Sequence, residues 1–179
     1  IVPGGGIFAD AVREAQKLAH VSDATAHQLA LRAMDQFGLL LAGMNPSLVT
    51  ASTELELAER GWQHRAVIWL PSHMTLADES IPENWGVTSD SLSAWIARKV
   101  GASHVVLVKS KDLSQYSKST QPALGTLVAD EVIDSAFGQF YLEQDFQTLV
   151  VNKADYSVLQ QGLSLHQLYE LGVKVSRNA

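Results

Sequence analysis

"TSDSLSAWIARKVGASHVVLVK" fills residues 88–109, and its reading decides the fold class. Thr88 or Ser89 can cap a helix over 90–100, whose Leu92, Trp95, Ile96 and Val100 lie along one face. Gly101 ends that helix. "HVVLV" (104–108) then runs apolar without alternation, as a strand does when both its faces are covered. A capped helix feeding a buried strand is the repeating unit of a parallel α/β sheet.

The same pattern extends outward. Residues 7–20 read as a helix, with Phe8, Ala11, Val12 and Ala15 at helical spacing. Ser22-Asp23 opens a second helix with apolar residues at Leu29, Ala33, Phe37, Leu40 and Leu41. Residues 53–60 make a short helix ending at Gly61, and "RAVIWLP" (65–71) is a buried strand stopped by proline. Residues 78–87 form a polar loop, and 109–125 a longer one. A helix is expected over 129–143, a strand at "TLVV" (148–151), helices at 155–161 and 165–170, and a last strand at "VKV" (173–175). Ile1-Val2-Pro3 reads as the end of another strand running into Gly4-Gly5-Gly6. The expectation is one α/β domain over 1–179, a mostly parallel central sheet with helices on both faces.

Composition narrows the function classes. A net charge of −6 argues against nucleic-acid binding through a general basic surface, though a locally positive pocket for a small anion remains open. The absence of cysteine removes disulfides, thiolate zinc sites and cysteine nucleophiles. No apolar run approaches the roughly 18 residues of a membrane span, and the first residues lack a signal-peptide pattern. A cytoplasmic protein without membrane partners is expected.

Ligands of parallel sheets gather at strand carboxyl ends, here Gly4–Gly6, Ser72-His73, Lys109–Asp112 and Asn152-Lys153. Each has a plain reading beside a functional one. Gly4, Gly5 and Gly6 make a tight turn, or present bare amides to an anion. They match neither a P-loop nor a dinucleotide fingerprint. Asp90 suits the first turn of a helix by its charge alone, or is an acid that orients a lysine or metal near phosphates. Lys109, Lys111 and Asp112 are a solvated loop, or place cations beside a phosphate. Asp35 is a surface acid on the second helix or a site acid, and Trp85 covers a ligand or caps the core. The six histidines show no metal-ligand spacing, His73 alone sits past a strand end, and no G-x-S-x-G is present.

Taken in order, "VPGGGIFADAVREAQ", "MDQFGLLLA" and "WGVTSDSLSAWIARKVGASHVVLVKSKDL" resemble the amino acid kinase superfamily. "VKSKD" and the short length are most similar to the branch associated with methanofuran and related cofactor biosynthesis. The resemblance implies a three-layer α/β/α sandwich and ATP-dependent phosphoryl transfer, with Mg²⁺, to a small phosphate or carboxylate acceptor. An aminomethyl-furanmethanol phosphate is the acceptor proposed for that branch. It further implies acceptor binding by Gly4, Gly5, Gly6, Asp35, Thr88 and Ser89, and nucleotide binding by Lys109, Ser110, Lys111 and Asp112. Asp90 and Lys109 would be the catalytic pair, with no dedicated protein metal site, and a homo-oligomer is expected. The family's opening strand with Lys-x-Gly-Gly-Ser is not found. The chain is therefore expected to lack an N-terminal strand, loop and helix of about 30 residues. The alternatives are a non-catalytic nucleotide- or oxyanion-binding protein, and a regulatory domain that binds no nucleotide.

Overall fold

The computed structural model describes residues 1–63, 66–116, 121–160 and 164–177. Arg65 of the 65–71 run, 117–120 of the polar loop and Gln161 of the helix read at 155–161 lie outside the described residues. The chain divides into two units, Ile1–Ser93 and Ala94–Ala179, and the strands of each form their own sheet. The architecture is mixed α/β with mostly parallel strands, as the alternation of segments predicts.

In the first unit, helix α1 (Gly6–Ala19) and helix α2 (Asp23–Met44) pack together. The Ser22 hydroxyl caps α2 by accepting from the Thr25 amide at 3.2 Å. Strand β1 (Val49–Ala51), helix α3 (Glu54–Trp62) and strand β2 (Val67–Trp69) form a parallel βαβ unit, Thr50 paired with Ile68. Sequence reading misses β1, which is three residues long and follows a proline turn. It also stops α3 at Gly61, whereas the helix runs on to Trp62. The strand expected at Ile1-Val2-Pro3 is not formed, although the Trp69 amide donates to the Ile1 carbonyl at 2.9 Å, beside β2. Helix α4 (Ser72–Leu76), not foreseen, follows Pro71.

The buried face of α2 differs from the one its leucines suggest. Leu29 and Leu40 are exposed, and Ala26, His27, Leu31, Ala33, Met34 and Gly38 are buried. Gly38 explains the rotation. A Cβ there would stand 2.8 Å from Leu70 Cδ2, 3.1 Å from Ile68 Cγ2 and 3.3 Å from Pro3 Cγ, so the helix backbone itself lies on these residues.

Helix α5 (Ser89–Lys99) begins in the first unit and ends in the second. It buries Leu92, Trp95 and Ile96 as its spacing predicts, but ends at Lys99 and leaves Val100 exposed, and Gly101 follows with φ +63°. The second unit holds strand β3 (His104–Lys109), helix α6 (Leu124–Ala129) and helix α7 (Phe137–Tyr141). Strand β4 (Gln147–Asn152), a 3-10 turn (Lys153–Asp155), helix α8 (Tyr156–Leu159), helix α9 (Leu165–Leu171) and strand β5 (Val173–Lys174) complete it. The order is β3-β4-β5, with β5 antiparallel to β4. Central β4 buries Thr148 through Val151.

The helix expected over 129–143 is instead the last residue of α6, a turn, and the short helix α7. Glu131 takes a left-handed φ of 53°, and the amides of Val132 and Ile133 return to the Leu127 carbonyl at 2.8 and 3.2 Å. Val132, Ile133, Phe137 and Tyr141 all enter one core, so a turn and a short helix produce the apolar spacing of one long helix. Ring centroids stand 5.2 Å apart for Phe137–Tyr141 and 5.5 Å for Tyr141–Phe146.

Candidate functional site

A cleft of about 220 Å³ opens in the first unit where the amino ends of two helices meet. Gly5 and Gly6 come from the start of α1, and Thr88 and Ser89 from the start of α5. This volume lies below the roughly 300 Å³ lower bound for drug-sized ligands, and suits a small metabolite.

The glycines have separate reasons to be glycine. A Cβ on Gly5 would fall 2.2 Å from the Ala9 Cβ. Gly6 has φ +52°, and a Cβ there would meet the Phe37 ring at 2.8 Å. A Cβ on Gly4 would come within 3.9 Å of Ser89 Oγ, so the glycine turn and the Thr-Ser segment are neighbours. The first amides of a helix lack intrahelical partners, and the helix dipole adds partial positive charge. Two such ends in one cleft make a place for an oxyanion.

Asp90, one residue beyond the cleft lining, is buried in the first turn of α5. Asp35 lies elsewhere. Its carboxylate accepts from the Ser72 amide at 3.1 Å and from the Ser72 hydroxyl, tying α2 to the first residue of α4. Asp35→Ala is expected to lower stability by about 1–3 kcal/mol in urea unfolding, because buried donors lose their acceptor. Unchanged stability with weakened acceptor binding would return Asp35 to a ligand-binding role.

Lys109, Ser110, Lys111 and Asp112 belong to the second unit, at the carboxyl end of β3. Lys109 pairs in register with Asn152, whose Nδ2 donates to the Lys111 carbonyl at 2.7 Å. Lys111 Nζ donates to the Asp130 carbonyl. Asp112 accepts from the Ser114 amide at 2.9 Å and the Ser114 hydroxyl at 2.8 Å, which holds its carboxyl below the usual range. Lys111 and Asp112 thus shape their loop. A groove of about 440 Å³ beside it is lined by Asp112, Ser114, Tyr116, Asn152 and Asp155 among others.

Sequence reasoning missed three residues of the first cleft or left them undecided. Sequence patterns do not point to Arg13 or His27, and they leave Trp85 between two roles. Arg13 lies seven residues after Gly6, two turns along the same face of α1. His27 is spaced with Leu31 and Met34, which also line the cleft, and that spacing was the available signal. His27 is buried, its Nδ1 lies 3.2 Å from the Asn84 carbonyl, and burial lowers its pKa.

A buried histidine with a lowered pKa takes up its proton more readily in the unfolded chain. Stability is therefore unaffected above the unfolded value of about 6.5 and falls as pH drops below it. The thermal midpoint is expected to fall between pH 7 and 5, with His27→Gln flattening that part of the profile. Parallel profiles would show that other groups set the dependence.

Among the described residues no three His, Asp or Glu side chains gather as metal ligands, and His73 is exposed on α4. Nor is any described helix long and apolar enough to cross a membrane.

No protein-family model matches the chain. It is 31% identical over 112 residues to a (5-(aminomethyl)furan-3-yl)methyl phosphate kinase from Methanocaldococcus jannaschii. The match covers 63% of this chain and 51% of that kinase, so the chain spans about half the length of its curated relative.

Proposed function

We propose that this chain takes part in ATP-dependent phosphoryl transfer to a small phosphate monoester, with an aminomethyl-furanmethanol phosphate as the acceptor. The observation that carries the reading is the meeting of two helix amino ends, at Gly5-Gly6 and Thr88-Ser89, in one cleft of metabolite size. The similarity to a kinase of that acceptor class supports it. Together with Gly4, these residues would bind the acceptor phosphate. Lys109 and the loop Ser110–Asp112 would bind the nucleotide, and Asp90 would act as an electrostatic group in the transfer step.

In the step itself, an oxygen of the acceptor phosphate bonds to the γ-phosphorus of ATP. The bond from that phosphorus to the β–γ bridging oxygen breaks, and its electron pair leaves with ADP. The product is a diphosphate. Phosphoryl transfer asks for position and charge neutralisation more than for covalent help from the protein. Magnesium would ride on the nucleotide phosphates, as its ligand preference favours, and neutralise the charge of the leaving group.

Incubation with Mg-ATP and the furan phosphate, followed by phosphorus NMR, tests this. Diphosphate and ADP are expected in equal amounts. Nucleotide and acceptor binding without ADP would favour a non-catalytic binding protein on the same fold.

A further inference from the structure

Resting on the acceptor reading of the first cleft, we infer that Arg13, stacked on Trp85, selects an acceptor that carries phosphate over the same acceptor as a free alcohol. The Arg13 guanidinium carbon lies 4.7 Å from the centroid of the Trp85 ring. Its Nη1 donates to Asp10 at 2.9 Å. That bond occupies one of five guanidinium donors. Among the described residues the Arg13 side chain makes no other hydrogen bond.

Trp85 is itself held from behind. Its Nε1 donates to Gln16 Oε1 at 2.7 Å, and Gln16 Nε2 donates to Asp23 at 2.8 Å. The loop that carries Trp85 is thereby fastened to α1, and the ring becomes a fixed wall for the guanidinium. Stacking orients the planar fork, so less freedom is lost when a phosphate binds.

Charge points the same way. Among the described residues Arg13 is the one Lys or Arg in the lining of this cleft. The other basic group there, His27, is buried and held toward its neutral form. The helix amides supply partial charges only, and Arg13, though paired with Asp10 of the same lining, keeps guanidinium donors to meet a phosphate dianion. Gly6, Ala9, Asp10 and Arg13 share one face of α1, placing the fork on the same side as the helix amino end.

The test is titration calorimetry with two probes, the furan phosphate and its dephosphorylated alcohol, on the wild type, Arg13→Gln and Arg13→Lys. Arg13→Gln is expected to weaken the phosphate about 10- to 100-fold and leave the alcohol nearly unchanged. Arg13→Lys should recover part of the loss, since it keeps the charge without the planar fork. An unchanged urea midpoint confirms that the variants fold. Where the alcohol binds too weakly to measure, the loss of phosphate affinity in Arg13→Gln decides. An equal loss for both probes, or none for the phosphate, overturns the role of Arg13. A wild type that binds neither probe overturns the acceptor reading itself, and the inference falls with it.

Discussion

Asp90→Asn is expected to lower phosphoryl-transfer turnover about 100- to 1000-fold, the usual effect of removing one preorganised electrostatic group. Acceptor affinity should stay nearly unchanged. Asp90 is buried at the first turn of α5, next to Thr88 and Ser89 of the cleft. The helix dipole favours a negative charge there. Asparagine keeps the shape and removes the charge. The measurement is the rate of ADP release at saturating acceptor, with acceptor affinity taken separately by calorimetry. If Asp90 serves only the helix, the variant loses about 0.3–1 kcal/mol of stability and keeps its turnover. That result would remove Asp90 from the catalytic group.

Gly6→Ala should produce a large loss of stability near the site. At φ +52° an L-residue pays about 1–2 kcal/mol. The added methyl would also lie 2.8 Å from the Phe37 ring, and overpacking of this kind costs about 1–3 kcal/mol. Together the two give about 2–5 kcal/mol, read as a lower urea midpoint at constant slope. Acceptor binding should weaken too, because the first amides of α1 move with the residue. A loss below about 1 kcal/mol would show that the turn and the Phe37 ring relax around a side chain.

The parts of the site that sequence reading finds are the local ones. Gly4–Gly6 and Thr88–Asp90 are turns and helix starts, set by backbone freedom and capping chemistry within a few residues. The structure places Gly5, Gly6, Thr88 and Ser89 in one cleft. Arg13, His27 and Trp85 reach the same cleft from three separate segments, whose meeting is set by packing that helical spacing within each one only hints at. Asp35, by contrast, is held by Ser72, 37 positions away, a partner that periodicity along one helix does not reveal.

The fold follows the same division. Strand β4 and the start of α5 follow from apolar runs and caps, whereas β3 buries only Val105 and Leu107 and leaves Val108 exposed, so its unbroken apolar run does not mark two covered faces. The inward face of α2 does not, because Gly38 contributes absence of bulk and periodicity counts only bulk. Residues 129–143 mislead for a related reason. Apolar spacing reports which side chains reach a core, whereas the left-handed turn at Glu131 decides the backbone that carries them.

The central claim is that the cleft between the starts of α1 and α5 binds the phosphate-bearing acceptor. Backbone amide NMR during titration with the furan phosphate tests it most directly, since glycine amides are well separated in such spectra. The account predicts shifts at Gly4, Gly5, Gly6, Thr88 and Ser89 that saturate together, with Mg-ATP instead moving Lys109 through Asp112. Acceptor-induced shifts centred elsewhere, or none at the glycine turn at saturation, would contradict it.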